Sequence, residues 1–393
     1  MELLPPTIIS PALLALLGDI LKDAADPVGV PALRLRLMSP DFSWQALVEL
    51  ATQQDVLPPL IHALAKRAIL PPVPHVTDQR HEGHVTLRLQ QYYRDHLIRR
   101  ELQRTQLQNI LHHLNGAGIV PLILKGAHYL VAPVALWCEA RISRDIDLLL
   151  RPDDADRAFA ILVADGYRVG QPYMANYHHL PDLQHPAEPA SVEIHTAALA
   201  AAGQSALTTV FAWRNASKSA DGSCYLLPLE WQALHCLLHH QLSDRGYARR
   251  ILALKPLWEW TMLTRDWSQS QWQAIVRHMR EAGALDLLAS WLVQAHRLFG
   301  ASLHEGIIPI SAQAAENACE TLDLALAPHW RRRTMFVIDQ LRYAFSKDAL
   351  AARYGKAAAN ISVADGARYL VHLVRTHRGG LLRRLVGYRN RLS

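Results

Sequence analysis

Apolar residues recur at every third or fourth position through most of this chain, the period of a helix buried along one face. Residues 1 to about 70 read as short helices, in "PALLALLGDILKDA" and "WQALVELATQQDVLPPLIHALAKRAIL". "PPVPH" at 71 to 75 is a rigid break. Residues 83 to 115 carry the longest helical pattern, free of Pro and with no Gly after its first residue, and it stops at "NGAG". After about 225 the helical period returns in "PLEWQALHCLLHHQL", "RRILALKPLWEWTMLT" and "WSQSQWQAIVRHMREAGALDLLASWLVQAHRLFG", and two more helices are expected beyond these.

Between these helical stretches the pattern changes. "IVPLIL" at 119 to 124, "DIDLLLR" and "SVEIHTA" at 191 to 197 are compact apolar runs of strand length. "KGAHYLVAPVALW" opens a helix directly after the first, with Pro133 ending or kinking it. "PDDADRAFAILVADGY" is a helix with Pro and acids in its first turn and a stop at Asp165-Gly166. Strand and helix thus alternate over roughly 80 residues, which predicts a small α/β unit within a largely helical α+β chain.

One strand breaks the rule that buried runs are apolar. Alternation along "DIDLLL" puts Asp145 and Asp147 on one face and Ile146, Leu148 and Leu150 on the other. Two adjacent carboxylates repel unless they share a proton or a cation. Oxygen ligands favour Mg²⁺, which joins carboxylates to substrate phosphates. In "SVEIH", Glu193 and His195 share a face, so Glu193 can approach the aspartates if the two strands are neighbours. Three carboxylates on adjoining strands suit two metal ions and phosphoryl transfer. His195, on the same face, is a candidate for the acceptor side. In "LILKGAHYL", Gly126 sits at a strand-to-helix turn whose amides can hold an anion; Lys125 adds charge, as do Arg141 and Arg144 before the acidic strand.

Composition narrows the remaining choices. The chain has 393 residues, 50% of them hydrophobic, enough for a large core in two or three domains. No run is long enough for a membrane span, and "MELLPPTIIS" does not read as a signal peptide. Four cysteines (Cys138, Cys224, Cys236, Cys319) lack CxxC spacing, which suits a reducing cytoplasm. The net charge of +6 is matched by the seven arginines between Gly366 and Ser393, where no acid occurs, so the body is close to neutral. That basic tail can touch anionic lipid, RNA or an acidic protein. His235 and His239 stand four apart on a helix without an adjacent Glu; a place at the mouth of the site suits them better than metal binding. His178, His179 and His185 fall in a polar connection. The ten tryptophans fall mostly at helical spacing and read as core.

The order "LKG", helix, "R…DIDLLL", helix, then "VEIH" over residues 117 to 200 resembles the nucleotidyltransferases of the DNA polymerase β superfamily, and most of all their bacterial, poorly characterised branch. The resemblance implies a small mixed-sheet polymerase β-like core flanked by helical regions. The expected divisions are 1–80, helical; 81–200, the catalytic core with its leading long helix; 201–365, helical; and 366–393, the basic tail. It also implies transfer of a nucleoside monophosphate from an NTP to an acceptor hydroxyl of a small molecule, protein or RNA end. Asp145, Asp147 and Glu193 would bind two Mg²⁺ ions, with Mn²⁺ as the alternative, and Lys125, Gly126, Arg141 and Arg144 would meet the nucleotide. Three features differ from the superfamily pattern: Ala127 follows Gly126 where Ser or Gly is usual, the spacing to Asp145 is long, and the third acid is Glu. The rival reading is a catalytically inactive nucleotide-binding or scaffold protein on the same fold.

Overall fold

The computed structural model describes residues 10–22, 29–69, 82–170, 178–200, 205–304, 306–354 and 357–377. The break expected at 71 to 75, and the tail beyond 377, lie outside them. The chain is 65% helical with a seven-stranded mixed sheet.

Four helices come first: α1 (Pro11–Leu21), α2 (Val30–Leu37), α3 (Trp44–Gln53) and α4 (Leu57–Lys66). Ser43 caps α3 by accepting from the Ala46 amide. The long helix α5 spans Glu82–Gly116, and Gly118 at φ 75 turns the chain after it. The α/β segment then runs β1 (Leu122–Leu124), α6 (Lys125–Val131), α7 (Trp137–Ala140), β2 (Asp145–Leu149), α8 (Pro152–Ala164), β3 (Arg168–Val169), β4 (Leu183–Gln184) and β5 (Ser191–His195). Next come α9 (Thr209–Asn215), β6 (Ser217–Lys218) and β7 (Tyr225–Leu226). Pro133 ends the helix as expected, dividing α6 from α7.

The rest is helical. α10 (Leu229–Leu238) continues into a π-turn at His239–Ser243, followed by α11 (Gly246–Arg249) and α12 (Leu254–Thr264). The long pattern from Trp267 to Gly300 is two helices, α13 (Gln269–Glu281) and α14 (Leu285–Phe299), divided at Gly283 with φ 64. The last four are α15 (Ala312–Leu326), α16 (His329–Phe345), α17 (Lys347–Tyr354) and α18 (Val363–His377). The first part of the basic tail is therefore helical.

The sheet order is β3-β4-β5-β2-β1-β7-β6. β2 pairs in parallel with β5 and antiparallel with β1. The short strands β3, β4, β6 and β7 have two residues each and no apolar period of their own to signal them. One sheet face carries Ile123, Ile146, Leu148, Val192 and Ile194 into a core shared with Leu107, Ile110, Leu111 and Leu114 of α5 and Ala158 and Leu162 of α8. Leu122, Leu124 and Leu149 on the other face join the larger helical core. That core contains Leu17 and Ile20 of α1, Leu60 and Leu64 of α4, Leu234 of α10, Trp258 and Trp260 of α12 and Trp291 of α14. The first helices and α10 to α15 thus close over one side of the sheet as a single packed body that buries most of the tryptophans, whereas Trp330 is exposed and α16 to α18 pack around a smaller cluster of their own.

Candidate active site

Parallel pairing of β2 with β5 sets Asp145 opposite Ser191, Asp147 opposite Glu193 and Leu149 opposite His195. Alternation sends the intervening Ile146, Leu148, Val192 and Ile194 into the apolar core on the far side. Asp147, Glu193 and His195 are left on the face toward the helical body. The antiparallel pairing of β1 puts Leu124 opposite Asp147, so the chain turns into α6 at Lys125 directly beside that carboxylate.

Lys125 takes a left-handed backbone, φ 49, which is unfavourable for a residue with a side chain. Its carbonyl accepts a hydrogen bond from Gln232 Nε2 of α10 at 2.9 Å. Its ammonium donates to Asp147 Oδ1 at 2.7 Å and lies 3.9 Å from Glu193 Oε2. His195 Nε2 is 2.8 Å from Asp147 Oδ1 and 3.4 Å from Glu193 Oε2, and His179 Nε2 is 4.0 Å from the same glutamate oxygen. Asp147 and His195 are wholly buried.

Burial works to raise the Asp147 carboxyl, but the Lys125 ammonium and the His195 hydrogen bond outweigh it and hold Asp147 well below the usual carboxylate range. Burial opposes charge on Lys125 as well; Asp147, Asp145 and Glu193 overcome it and keep the amine protonated. The imidazole of His195 is pushed down by burial and up by its bonds to Asp147 and Glu193, with a net rise. Asp145 moves upward, through burial and then through the charge of Asp147.

Asp147, Glu193 and His195 offer ligand atoms that all lie within 4.8 Å of one another. Asp147 Oδ2 is buried with no hydrogen-bond partner among the described residues. A divalent cation suits such a donor set, since an orphaned buried carboxylate oxygen is costly unless a cation meets it. The trio expected from the sequence was Asp145, Asp147 and Glu193. Asp145 shares the strand face but stays outside this ligand group, which His195 completes.

The arginines expected at the nucleotide are engaged elsewhere. Arg141 is buried, with its Nε 2.7 Å from Glu259 Oε2 and its Nη1 donating to Ser143 Oγ at 2.7 Å. Tyr129 donates to the other Glu259 oxygen at 3.0 Å. This cluster backs the turn at Gly126: a Cβ there would collide with Ser143 Oγ and Arg141 Nη1. Gly126 is thus required by close packing. Arg144 pairs at the surface with Asp55, which follows α3.

Three contributors escaped the sequence reading. Asp55 and Glu259 are distant in the chain, and nothing local marks either. Lys255, in the first turn of α12, carries an amine lowered by burial and by Arg141, against the pull of Asp145, Glu259 and Asp55; a single cation inside an otherwise apolar helix start was its only signal. The histidines do gather here. The rings of His178 and His195 are 5.4 Å apart, those of His178 and His239 6.4 Å, and those of His235 and His239 5.9 Å. The π-turn at His239 is the kind of helix irregularity that re-aims side chains beside a site.

Fold and site together define an α+β protein with a buried acidic cluster on adjoining parallel strands, suited to a cation. The chain belongs to a family described as uncharacterised nucleotidyltransferase, whose model matches residues 40–300. No curated protein matches the chain, and no solved structure matches it. Among the described residues, no helix is long and apolar enough to cross a membrane.

Proposed function

We propose that this chain transfers a nucleoside monophosphate from an NTP to an acceptor hydroxyl and releases pyrophosphate, on a polymerase β-like core at residues 81–200. The flanking regions, 1–80 and 201–365, form the walls of the site, and the tail at 366–393 meets an anionic surface or an acidic partner. The observation that carries this reading is the register of Asp147 opposite Glu193, with a buried Asp147 oxygen left unpaired. Mg²⁺ held by Asp145, Asp147 and Glu193 would screen the triphosphate and favour loss of the acceptor proton.

Residues of the chain supply the rest. Backbone amides at Gly126 receive the triphosphate at the start of α6. Arg141 supports that turn from behind, through Ser143 and Glu259. Arg144 reaches the nucleotide by exchanging Asp55 for phosphate oxygens. The acceptor oxygen bonds to the α-phosphorus as the bridging bond to the β-phosphate breaks, and pyrophosphate leaves with that electron pair. The acceptor proton departs on the side of Glu193 and His195.

The test is transfer of label from each α-³²P NTP, with Mg²⁺, to pooled small molecules, proteins and RNA. Wild type labels an acceptor and Asp147→Asn does not; equal labelling by both ends the reading. Ala127, in place of a hydroxyl residue, favours the rival of a nucleotide-binding protein without turnover. Wild type that is stabilised by an NTP yet labels nothing would select that rival.

A further inference from the structure

We propose that Lys125 is a resident cation in the acceptor-side metal position, so that the site takes one divalent ion instead of two. The proposal rests on the nucleotidyltransferase reading and refines its cofactor.

The resemblance assigns the acceptor-side cation to Asp145, Asp147 and Glu193. The facing oxygens of Asp147 and Glu193 already have a cation. The Lys125 ammonium lies between them, 2.7 Å from Asp147 Oδ1 and 3.9 Å from Glu193 Oε2. His195 Nε2 approaches the same two oxygens at 2.8 and 3.4 Å. Asp147 Oδ1 therefore has two nitrogen partners, whereas Asp147 Oδ2 has none. Among the described residues no hydrogen bond or ion pair reaches the Asp145 carboxylate, Asp147 Oδ2 or Glu193 Oε1. The two aspartates thereby keep free oxygens for the single ion that accompanies a triphosphate.

The backbone holds the amine in this position. A left-handed φ of 49 is disfavoured for lysine, and here it is fixed from both sides. Gln232 grips the Lys125 carbonyl, while the bare Gly126 admits Arg141 and Ser143 against the turn. A lysine serving only as a phosphate contact would not need its turn braced so that the amine points into the carboxylates.

Charge leads to the same count. Three carboxylates carry three negative charges. One ammonium and one divalent ion already offset them, before His195 beside Asp147 and Glu193 is counted and before the nucleotide arrives. A second divalent ion beside the ammonium would bring like charges together in a pocket of low dielectric.

The test is an equilibrium titration of metal-stripped protein with Mn²⁺ alone, read by EPR. Wild type is expected to bind one Mn²⁺ per chain and Lys125→Met two, because the methionine vacates the acceptor-side oxygens. Lys125→Arg keeps the charge and stays at one. Melting temperature gives a readout independent of activity: metal-free Lys125→Met melts below wild type and Mn²⁺ recovers the loss, while Lys125→Arg melts near wild type. Two ions on wild type, or one on a folded Lys125→Met, overturns the proposal and leaves the nucleotidyltransferase reading standing. No ion on any of the three proteins also overturns the proposal, and the labelling assay then decides the nucleotidyltransferase reading by itself. If Lys125→Met fails to fold, the wild-type and Lys125→Arg counts decide.

Discussion

His195 Nε2 lies 2.8 Å from Asp147 Oδ1, and neither side chain has exposed surface. The same oxygen holds the Lys125 ammonium. Removing the Asp147 charge takes the nearest counter-charge from a largely enclosed cation, a change that costs up to about 3–5 kcal/mol. Asp147→Asn should therefore lower metal-free stability by that order in urea denaturation, and divalent ions should not recover it. A loss below about 1 kcal/mol would mean that the cluster contributes little to the fold.

Acid sensitivity should come from the buried histidines. Burial lowers His235 to about 3, with a further push from His239, and lowers His128 to about 4. Both are more basic in the unfolded chain, so the unfolded state binds more protons between pH 6.5 and these values. Stability should thus fall as pH drops through that window, by roughly 1.4 kcal/mol per unit below 6.5 for each histidine. His235→Gln should flatten the curve between about pH 6.5 and 4. An unchanged slope of melting temperature against pH in that variant would refute the assignment.

Gly126→Ala tests the braced turn. The added Cβ meets Ser143 Oγ and Arg141 Nη1. Such overpacking costs about 1–3 kcal/mol. NTP-induced thermal stabilisation should disappear in the variant, since the amides of the turn must shift. Ser143→Gly, added to Gly126→Ala, should recover part of the loss because it removes the nearest clashing atom.

Glu259→Gln tests the support behind the turn. Glu259 neutralises buried Arg141 and accepts from Tyr129. Breaking that pair should cost on the order of 3–5 kcal/mol. Replacing both partners, as Arg141→Met with Glu259→Leu, should cost clearly less, because no charge is then left buried alone. Equal losses for the single and double variants, measured by chemical denaturation, would contradict this.

Deleting residues 378–393 removes five arginines from a chain whose net charge is +6. Binding to anionic vesicles and to RNA should weaken and lose most of its salt dependence. Binding that persists unchanged would move the basic contact to the body of the protein.

The strand pair was legible because alternation is a local rule. Asp145, Asp147 and Glu193 declare themselves by standing where an apolar residue belongs, and only their register needed the structure. Pro133 and the Asp165-Gly166 stop were read correctly for the same reason: backbone chemistry acts within a few residues. The division of the Trp267–Gly300 pattern at Gly283 was missed because both halves share one helical period, and a glycine inside such a pattern is often tolerated. The short strands β3, β4, β6 and β7 owe their existence to neighbours rather than to their own sequence.

By itself the sequence determined the elements, the acidic strand face and the family resemblance, since periodicity, caps and motif order are properties of neighbouring residues. Tertiary structure alone decided which charges meet. It turned Arg141 to Glu259 and Arg144 to Asp55, brought His195 beside Asp147 and Glu193, and aimed Lys125 at Asp147. It also joined the first helices and the later ones into one core over the sheet. The reason is physical: a buried charge is stable only beside a partner, and in this chain the partner of Arg141 is 118 residues away.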